Sequence, residues 1–300
     1  MKFAPTLFIA LMFGALSAAS AAPVLFPAQG AAAPDIFPTV TSFRSSLGAL
    51  NSNTPGSVGS GRREINWDGV SPGSAAPNNL PANFFNVNSP RGVVLSTPGS
   101  GFQVSGDGGV APVEFGHINA TYPTLFQAFS ALRLFTAIDS NITDVNFFVP
   151  GFTTVASVSA FGAVFTDVDL ANITSLQFFD LGNVSLGTFF VPRGTSNTGN
   201  ESLSFLGVRF DAGERIGRVR ITSGNALLAP NVNEGGGVDL VVMDDFIYAE
   251  PIAAAAIPEP ATLLLVAPLL AALWILRQRR QRYGQQEDSL RRLRKITSRW

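Results

Sequence analysis

The stretch from Pro90 to Glu250 nowhere keeps the 3.6-residue apolar period of an amphipathic helix. It consists of short runs of β-branched and aromatic residues bounded by Gly, Asn and Pro, a pattern typical of strands and turns. Leu203 and Phe205, for example, alternate with serines and so share one face of a strand. The pattern predicts an all-β fold, a two-sheet sandwich of jelly-roll type. The strands are expected near residues 92–96, 101–105, 144–149, 154–165, 174–180, 184–191, 202–210, 216–222 and 238–248.

Segments outside this pattern set the limits of the sandwich domain, which we place at residues 62–250. Residues 22–61 are rich in Ala, Pro, Ser and Gly and are predicted to be irregular, with a short helix or strand at 43–50. Residues 124–135 fit either a helix or a buried strand. Residues 251–257 are interpreted as a linker.

The composition of residues 22–257 narrows the class of function. This part carries ten Arg, no Lys, and eighteen Asp and Glu, which gives a net charge of −8. Because nucleic-acid binding needs a cationic surface, we expect no nucleic-acid partner. The chain has 25 Phe and no Cys, so many rings must be buried, and thiolate or disulfide chemistry is excluded.

The N-terminal residues 1–21 have the features of a secretory signal peptide. Lys2 precedes an apolar stretch at 7–16, and small residues at 19–21 form a cleavage site. We expect cleavage at the end of this site, because a cut one residue later would place Pro23 just past the bond. The protein is therefore predicted to be exported.

The C-terminal end combines a tripeptide, an apolar segment and a basic cluster. Pro258, Glu259 and Pro260 are followed by sixteen uncharged residues, 261–276. As a helix this segment would be about 24 Å long, slightly short of the ~30 Å hydrocarbon core of a bilayer. Because clustered Arg stays on the cytoplasmic side, we predict a transmembrane helix with residues 22–257 outside. The cluster contains Arg277, Arg279, Arg280 and Arg282.

This order of features resembles the PEP-CTERM sorting signal of Gram-negative bacteria, here at residues 258–282. Pro258, Glu259 and Pro260 match its tripeptide, while the apolar segment and the basic cluster match its helix and membrane stop. The resemblance implies recognition by an exosortase, an integral membrane transpeptidase-like enzyme, and cleavage near the tripeptide. It also implies an association with exopolysaccharide and biofilm. The expected localisation is the inner membrane before sorting and the cell surface or extracellular matrix afterwards.

Residues 283–300 extend beyond the point where members of this family usually end, and we predict a basic cytoplasmic tail. Leu290, Leu293, Ile296 and Trp300 recur at three- and four-residue intervals among Arg and Lys. This pattern fits an amphipathic helix on an anionic membrane surface, and it fits a solvated tail equally well.

Residues able to carry catalysis are scarce. His117 is the only histidine and there is no Cys, which excludes a Cys–His pair and a multi-histidine zinc site. No Gly-x-Ser-x-Gly motif is present, and the sequence singles out no pair of carboxylates for glycoside hydrolysis. We expect a structural role for His117, no catalytic residue and no enzyme activity.

The best acidic cluster is 239–245, in which Asp244 and Asp245 are adjacent in the last predicted strand. Successive strand residues point to opposite faces, so one of the two should face the apolar side and need a partner. We predict a structural calcium ion there; an Arg-paired or solvated acid pair is the alternative. The Asp-Asp-Phe sequence also resembles the end of carbohydrate-binding jelly rolls, which implies calcium at a final-strand Asp. Further oxygen ligands could come from Glu64, Asp107 and Glu114.

Two more features bear on the function of the exported body. Segments at 65–69, 80–86 and 243–246 resemble a recurrent passenger domain of exported bacterial proteins, which implies a compact extracellular domain and no particular chemistry. The aromatic side chains outside the tail that are suited to stacking on sugars are Trp67, Tyr122 and Tyr248. We predict a structural or adhesive envelope protein associated with matrix polysaccharide. The alternative is an anchored carbohydrate-binding module or carbohydrate-active enzyme.

Overall fold

The computed structural model describes residues 22–106, 113–130, 132–194 and 200–254, together with residues 274 and 277. The predicted signal peptide, the Pro-Glu-Pro tripeptide and the basic tail lie outside the described residues. So do the apolar segment and the Arg cluster, apart from Trp274 and Arg277, which are helical. The chain divides into two compact units, Met1–Ala253 and Ala254–Trp300. Within the described ranges, no helix combines the length and apolarity needed to cross a membrane.

The first unit is built mainly of antiparallel strands, which confirms the all-β prediction in its coarse form. The strands are β1 (Val24–Gly30), β2 (Arg62–Ile65), β3 (Val93–Ser96), β4 (Gly101–Val104), β5 (Phe135–Ile138), β6 (Ile142–Phe147), β7 (Ala156–Ser157), β8 (Ala160–Thr166), β9 (Ser175–Phe179), β10 (Ser185–Phe190), β11 (Leu203–Arg209), β12 (Arg218–Thr222), β13 (Val242–Ala249) and β14 (Ile252–Ala253). The helices are α1 (Ala33–Leu47) and α2 (Phe84–Val87), and short 3-10 helices lie at Pro72–Ser74 and Tyr122–Thr124.

Two sheets contain most of these strands. The larger has the order β1-β11-β8-β13-β5-β4, with β2 also paired to β13, and the smaller has the order β10-β9-β12-β6-β3. From β5 to β13 the chain moves repeatedly between the sheets, so that β5 pairs with β13, β6 with β12, β8 with β11, and β9 with β10. All four pairs are antiparallel. The short strands β7 and β14 pair separately.

Aromatic side chains join the two sheets in one hydrophobic core. Phe147 of β6, in the smaller sheet, lies 5.6 Å from Tyr248 of β13 and 6.3 Å from Phe161 of β8, measured between ring centroids. Both partners belong to the larger sheet. The two sheets therefore share one core, and the many Phe residues of the sequence supply much of its packing.

Helix α1 packs on the other face of the larger sheet, where two glycines leave space for it. Gly162 of β8 and Gly207 of β11 are directly paired, and a Cβ at either would come within 2.9 Å of the Phe43 ring. Phe43 also contacts Phe26 and Phe205 edge-to-face, at centroid distances of 5.2 and 5.6 Å. This packing fixes α1 on the sheet and thereby the direction of its charged residues.

The structure differs from the predicted elements in three segments. Residues 22–61 are not irregular, since they contain β1 and the fifteen-residue helix α1. In segment 124–135, Thr124 ends a 3-10 helix and Phe135 begins β5. The described residues between them, 125–130 and 132–134, belong to neither a helix nor a strand, so neither expected element is found there. The predicted linker at 251–257 includes β14, which pairs with β7.

Candidate functional site

A bulge in β13 brings Asp244 and Asp245 together. The pairing register with β8 shifts between Met243 and Phe246, so the regular alternation of side chains is interrupted there. Both carboxylates contact Ser130 Oγ, which lies 3.1 Å from Asp244 Oδ1 and 2.9 Å from Asp245 Oδ1. The expectation that the two side chains point to opposite faces is therefore wrong, because it assumed an unbroken strand.

Asp244 is fully buried and is held by the loop before β5. Its Oδ2 accepts hydrogen bonds from the backbone N–H of Phe129 at 2.6 Å and of Ser130 at 3.1 Å. Its carbonyl oxygen accepts a hydrogen bond from Trp67 Nε1 at 2.9 Å. Burial, followed by the neighbouring charge of Asp245, holds the pKa of Asp244 well above its usual range.

Asp245 is also buried, but it has a cationic partner. Arg44 Nη2, from α1, donates a hydrogen bond to Asp245 Oδ2 at 2.8 Å. Burial raises the pKa of Asp245, while Ser130 and Arg44 act in the opposite direction. Arg44 also donates to both carboxylate oxygens of Glu64, at 3.1 and 2.9 Å. One guanidinium thus links the helix to two acids of the larger sheet.

A third carboxylate approaches the same hydroxyl. Asp68 Oδ2 lies 3.3 Å from Ser130 Oγ, and its Oδ1 accepts a hydrogen bond from the Arg133 backbone N–H at 3.2 Å. Burial raises the pKa of Asp68. A hydroxyl group donates only one hydrogen bond, so Ser130 cannot donate to Asp68, Asp244 and Asp245 at once.

The acid group borders an open cleft of about 460 Å³ between α1, the loop after it and β2. The polar side chains that line it are Arg44, Asn51, Asn53, Glu64, Asn66, Arg91, Ser130 and Asp245. Its apolar wall includes Phe37, which is 54% exposed, and Phe129, whose ring centroid lies 6.5 Å from that of Phe37. The cleft can therefore offer hydrogen bonds from both charged and neutral groups beside an exposed aromatic ring.

No protein-family model matches this chain, and no curated protein matches it significantly.

The other residues considered as calcium ligands do not all meet at this site. Glu64 joins it through Arg44, as described above. For Glu114 the neighbouring acid is Glu201: burial and the charge of Glu201 raise the pKa of Glu114 to about 7. Asp107 lies outside the described residues. In the described part of the chain, no three His, Asp or Glu side chains form a group arranged to hold a metal ion. Calcium at Asp244 and Asp245 stays a prediction.

The single histidine and the polar aromatic residues lie elsewhere. His117 Nε2 is 2.8 Å from Gln103 Oε1, and burial lowers the pKa of the imidazole. Trp67, Tyr122 and Tyr248 are fully buried, so they are not available to stack on a sugar. Trp67 packs parallel to Phe135 at 4.1 Å.

Three residues of the site have no signal in the sequence that would have identified them. Arg44 and Phe37 lie in a segment without clear apolar periodicity, and Ser130 lies in the ambiguous segment 124–135. They meet Asp245 only because α1 and the loop before β5 fold onto the same part of the larger sheet. Asp68, which follows Trp67, lies in one of the segments that resemble the passenger domain.

Proposed function

We propose that this protein is an exported envelope protein that an exosortase sorts and anchors through residues 258–282, and that its body binds matrix polysaccharide in a structural or adhesive role. The order of tripeptide, apolar segment and Arg cluster supports the sorting step. The leader at residues 1–21 supports export. Calcium at Asp244 and Asp245 is part of this proposal as a stabilising ion.

We also propose that the body is a jelly roll. The support is the pairing of eight strands, β5, β6 and β8 to β13, as first with last, second with seventh, third with sixth and fourth with fifth. This is the pairing that results when one long antiparallel hairpin is rolled into two sheets. Jelly rolls occur widely in sugar-binding proteins, although a fold alone does not determine function.

The observation that carries the binding proposal is the cleft beside Asp245. Sugars present hydroxyl groups in fixed positions and an apolar ring face, and they are bound by planar polar side chains together with an aromatic ring. Arg91 and Asn53 are hydrogen-bonded to each other at 2.9 Å on the cleft wall, so this polar pair is held in place before a ligand arrives. Phe37 is exposed at the same cleft and offers the ring.

A carbohydrate-active enzyme is the second candidate, and it rests on two carboxylates that line the same cleft. Asp245 has a raised pKa, as a general acid requires, and Glu64 lies beside it through Arg44. The ion pairs with Arg44 argue for a structural role. Incubation of the protein with bound polysaccharides and measurement of released reducing ends separates the candidates.

The decisive experiment is glycan-array binding with the wild-type chain and two Phe variants. Phe37→Ala should reduce binding at least tenfold, because it removes the exposed ring of the cleft. Phe152→Ala is the matched control, since Phe152 is 51% exposed and does not line the cleft. Equal loss in both variants, or wild-type binding that Phe37→Ala leaves unchanged, would rule out the cleft as the sugar site.

A further inference from the structure

A second group of carboxylates lies outside the cleft, where the chain leaves β8 and where it approaches β13. Asp167 follows directly after β8, and Asp239 precedes β13. Asp239 is fully buried, and its Oδ1 and Oδ2 accept hydrogen bonds from the backbone N–H of Asp169 and of Leu170, at 3.1 and 3.3 Å. These two bonds hold the loop after β8 against the segment before β13.

Asp167 is the unusual member of this group. Its side chain is fully buried, and neither of its carboxylate oxygens accepts a hydrogen bond of normal geometry. The backbone N–H of Glu201 is close enough to lower the pKa of Asp167, but it donates to the Leu125 carbonyl oxygen at 2.6 Å. Its backbone adopts φ 69°, a left-handed conformation that is uncommon for a residue other than glycine. A buried carboxylate normally has a cation or several hydrogen-bond donors, because transfer of an unpaired charge out of water is very unfavourable.

The surroundings of Asp167 add negative charge. Burial raises its pKa to about 9, and the charges of Asp169, Glu234 and Asp239 contribute in the same direction. Glu234 is itself held in place, since its Oε2 accepts a hydrogen bond from the Leu240 backbone N–H at 2.8 Å, and its pKa is raised to about 7. The charge of Arg193 lowers the pKa of Asp169 in the opposite direction. A bound cation would offset the negative charge that gathers around Asp167.

We propose that Asp167, together with Asp239 and oxygen atoms of Ser202, binds a calcium ion, with the charge of Glu234 nearby. The available ligands are oxygen atoms, which suit a hard cation such as calcium. Ser202 adds to this set: its carbonyl oxygen accepts a hydrogen bond from the Asp167 backbone N–H at 2.8 Å, and its buried hydroxyl oxygen has no partner. Since the described side chains do not already form a three-acid metal group, main-chain, hydroxyl or water oxygens complete the shell, as they do in many calcium sites.

The proposed calcium site at Asp167 does not depend on sugar binding in the cleft. Its position indicates that the ion would connect two segments of the chain. Asp167 and Asp239 lie on two segments that are 72 positions apart in the sequence and lead out of and into neighbouring strands of the larger sheet. An ion between them would join these segments. It would also replace the proton that Asp167 otherwise retains, because metal ligands bind in their deprotonated form.

The test uses the full chain in a mild detergent, treated with a chelator, desalted and titrated with calcium chloride in a calorimeter. Calcium binding by the wild type should raise the melting temperature by about 5–10 °C at a hundredfold excess over Kd. Asp167→Asn keeps the shape of the side chain and should lower the affinity for calcium at least tenfold. Asp211→Asn, which removes an exposed acid paired with Arg209, is the control and should bind like the wild type.

Glu234→Gln provides a second variant at a half-buried position, in case Asp167→Asn does not fold. It should also weaken calcium binding. Wild-type protein without calcium binding would overturn the proposal and identify Asp167 as a buried neutral acid. Wild-type binding that survives in Asp167→Asn and Glu234→Gln, but is lost in Asp245→Asn, would assign the ion to the cleft and likewise overturn it.

Discussion

Arg44 Nη2 lies 2.8 Å from Asp245 Oδ2, an ion pair that connects residues 201 positions apart in the sequence. Asp245 is 2% exposed and the Arg44 side chain is 20% exposed, so the acid is removed from water while its cation keeps partial contact with solvent. The pair holds α1 to the bulge of β13. Because both residues line the cleft, its shape depends on this contact.

Removal of the cation should therefore destabilise the fold. We expect Arg44→Met to lower the free energy of unfolding by about 2–3 kcal/mol, because Asp245 would remain buried without its cationic partner. The measurement is urea unfolding followed by intrinsic fluorescence. Arg209→Met is the control, since Asp211 is 46% exposed and that pair should contribute less than about 1 kcal/mol. Equal losses in the two variants would contradict this account.

The close approach of α1 to the larger sheet makes a separate prediction. Gly207→Ala places a Cβ within 2.7 Å of the Phe43 ring, so either the helix or the ring must move. We expect a loss of about 1–3 kcal/mol in unfolding free energy, as for other overpacked cores. Gly69→Ala, which meets no atom within 4 Å, should change stability by less than about 0.5 kcal/mol. A Gly207→Ala variant as stable as the wild type would show that α1 is not fixed by this contact.

Much of the sheet structure could be predicted because its strands carry local signals. β3, β4, and β9 to β12 each lie within a predicted range, where β-branched and aromatic residues are bounded by turn residues. β1 and α1 lacked such signals. β1 contains Pro27 and α1 contains Pro38. A proline inside a segment normally predicts that a strand or helix is interrupted there. Tertiary packing of Phe43 outweighs that local signal.

The acid pair was found in the sequence, but its geometry was not. A bulge depends on the register between two strands, and nothing in Met-Asp-Asp-Phe indicates one extra residue opposite β8. Arg44 and Ser130 could not be linked to Asp245 either, because their contacts cross large sequence separations. The unpaired Asp167 had no distinguishing feature, since burial of a single acid depends on the loops around it.

The raised pKa of Glu114 predicts a pH dependence. The pKa is about 7 in the folded protein, against 4.5 for an unperturbed Glu, because of burial and the charge of Glu201. The folded state then holds the proton more tightly than the unfolded state. The stabilisation that protonated Glu114 gives to the folded state is complete below pH 4.5 and is lost as the pH rises through about 7.

Urea unfolding at pH 5 and pH 8 tests this pH dependence. Glu114→Gln should reduce the difference in unfolding free energy between the two pH values by about 1 kcal/mol, after allowance for the partial exposure of Glu114. Glu201→Gln should have a smaller effect in the same direction, because it removes the neighbouring charge but leaves Glu114 buried. If the Glu114→Gln and wild-type curves run parallel across this range, the prediction is wrong.

Calcium at Asp244 and Asp245 predicts a melting shift that depends on these two residues. A ligand present at a hundredfold excess over Kd stabilises the folded state by about 2.7 kcal/mol, or about 5–10 °C for a domain of this size. Melts of Asp167→Asn, in which the other proposed calcium site is weakened, should differ by this amount with calcium and with chelator, and the added Asp245→Asn substitution should abolish the difference. If the double variant keeps the full calcium response, the acid pair is held by Arg44 and a proton instead.

The proposed sorting signal makes a prediction that does not depend on the fold. Replacement of Pro258, Glu259 and Pro260 by alanine should leave export intact, because the proposed signal peptide and the apolar segment at 261–276 remain. It should block removal of the C-terminal end, since the tripeptide is the part that an exosortase is expected to recognise. Intact-mass analysis of protein from the envelope and the medium provides the measurement. Replacement of Pro251 and Ile252 by alanine is the control and should leave processing unchanged. The same C-terminal truncation in the tripeptide variant and in the wild type would show that another protease releases the protein, and the exosortase proposal would then fail while the export signal stood.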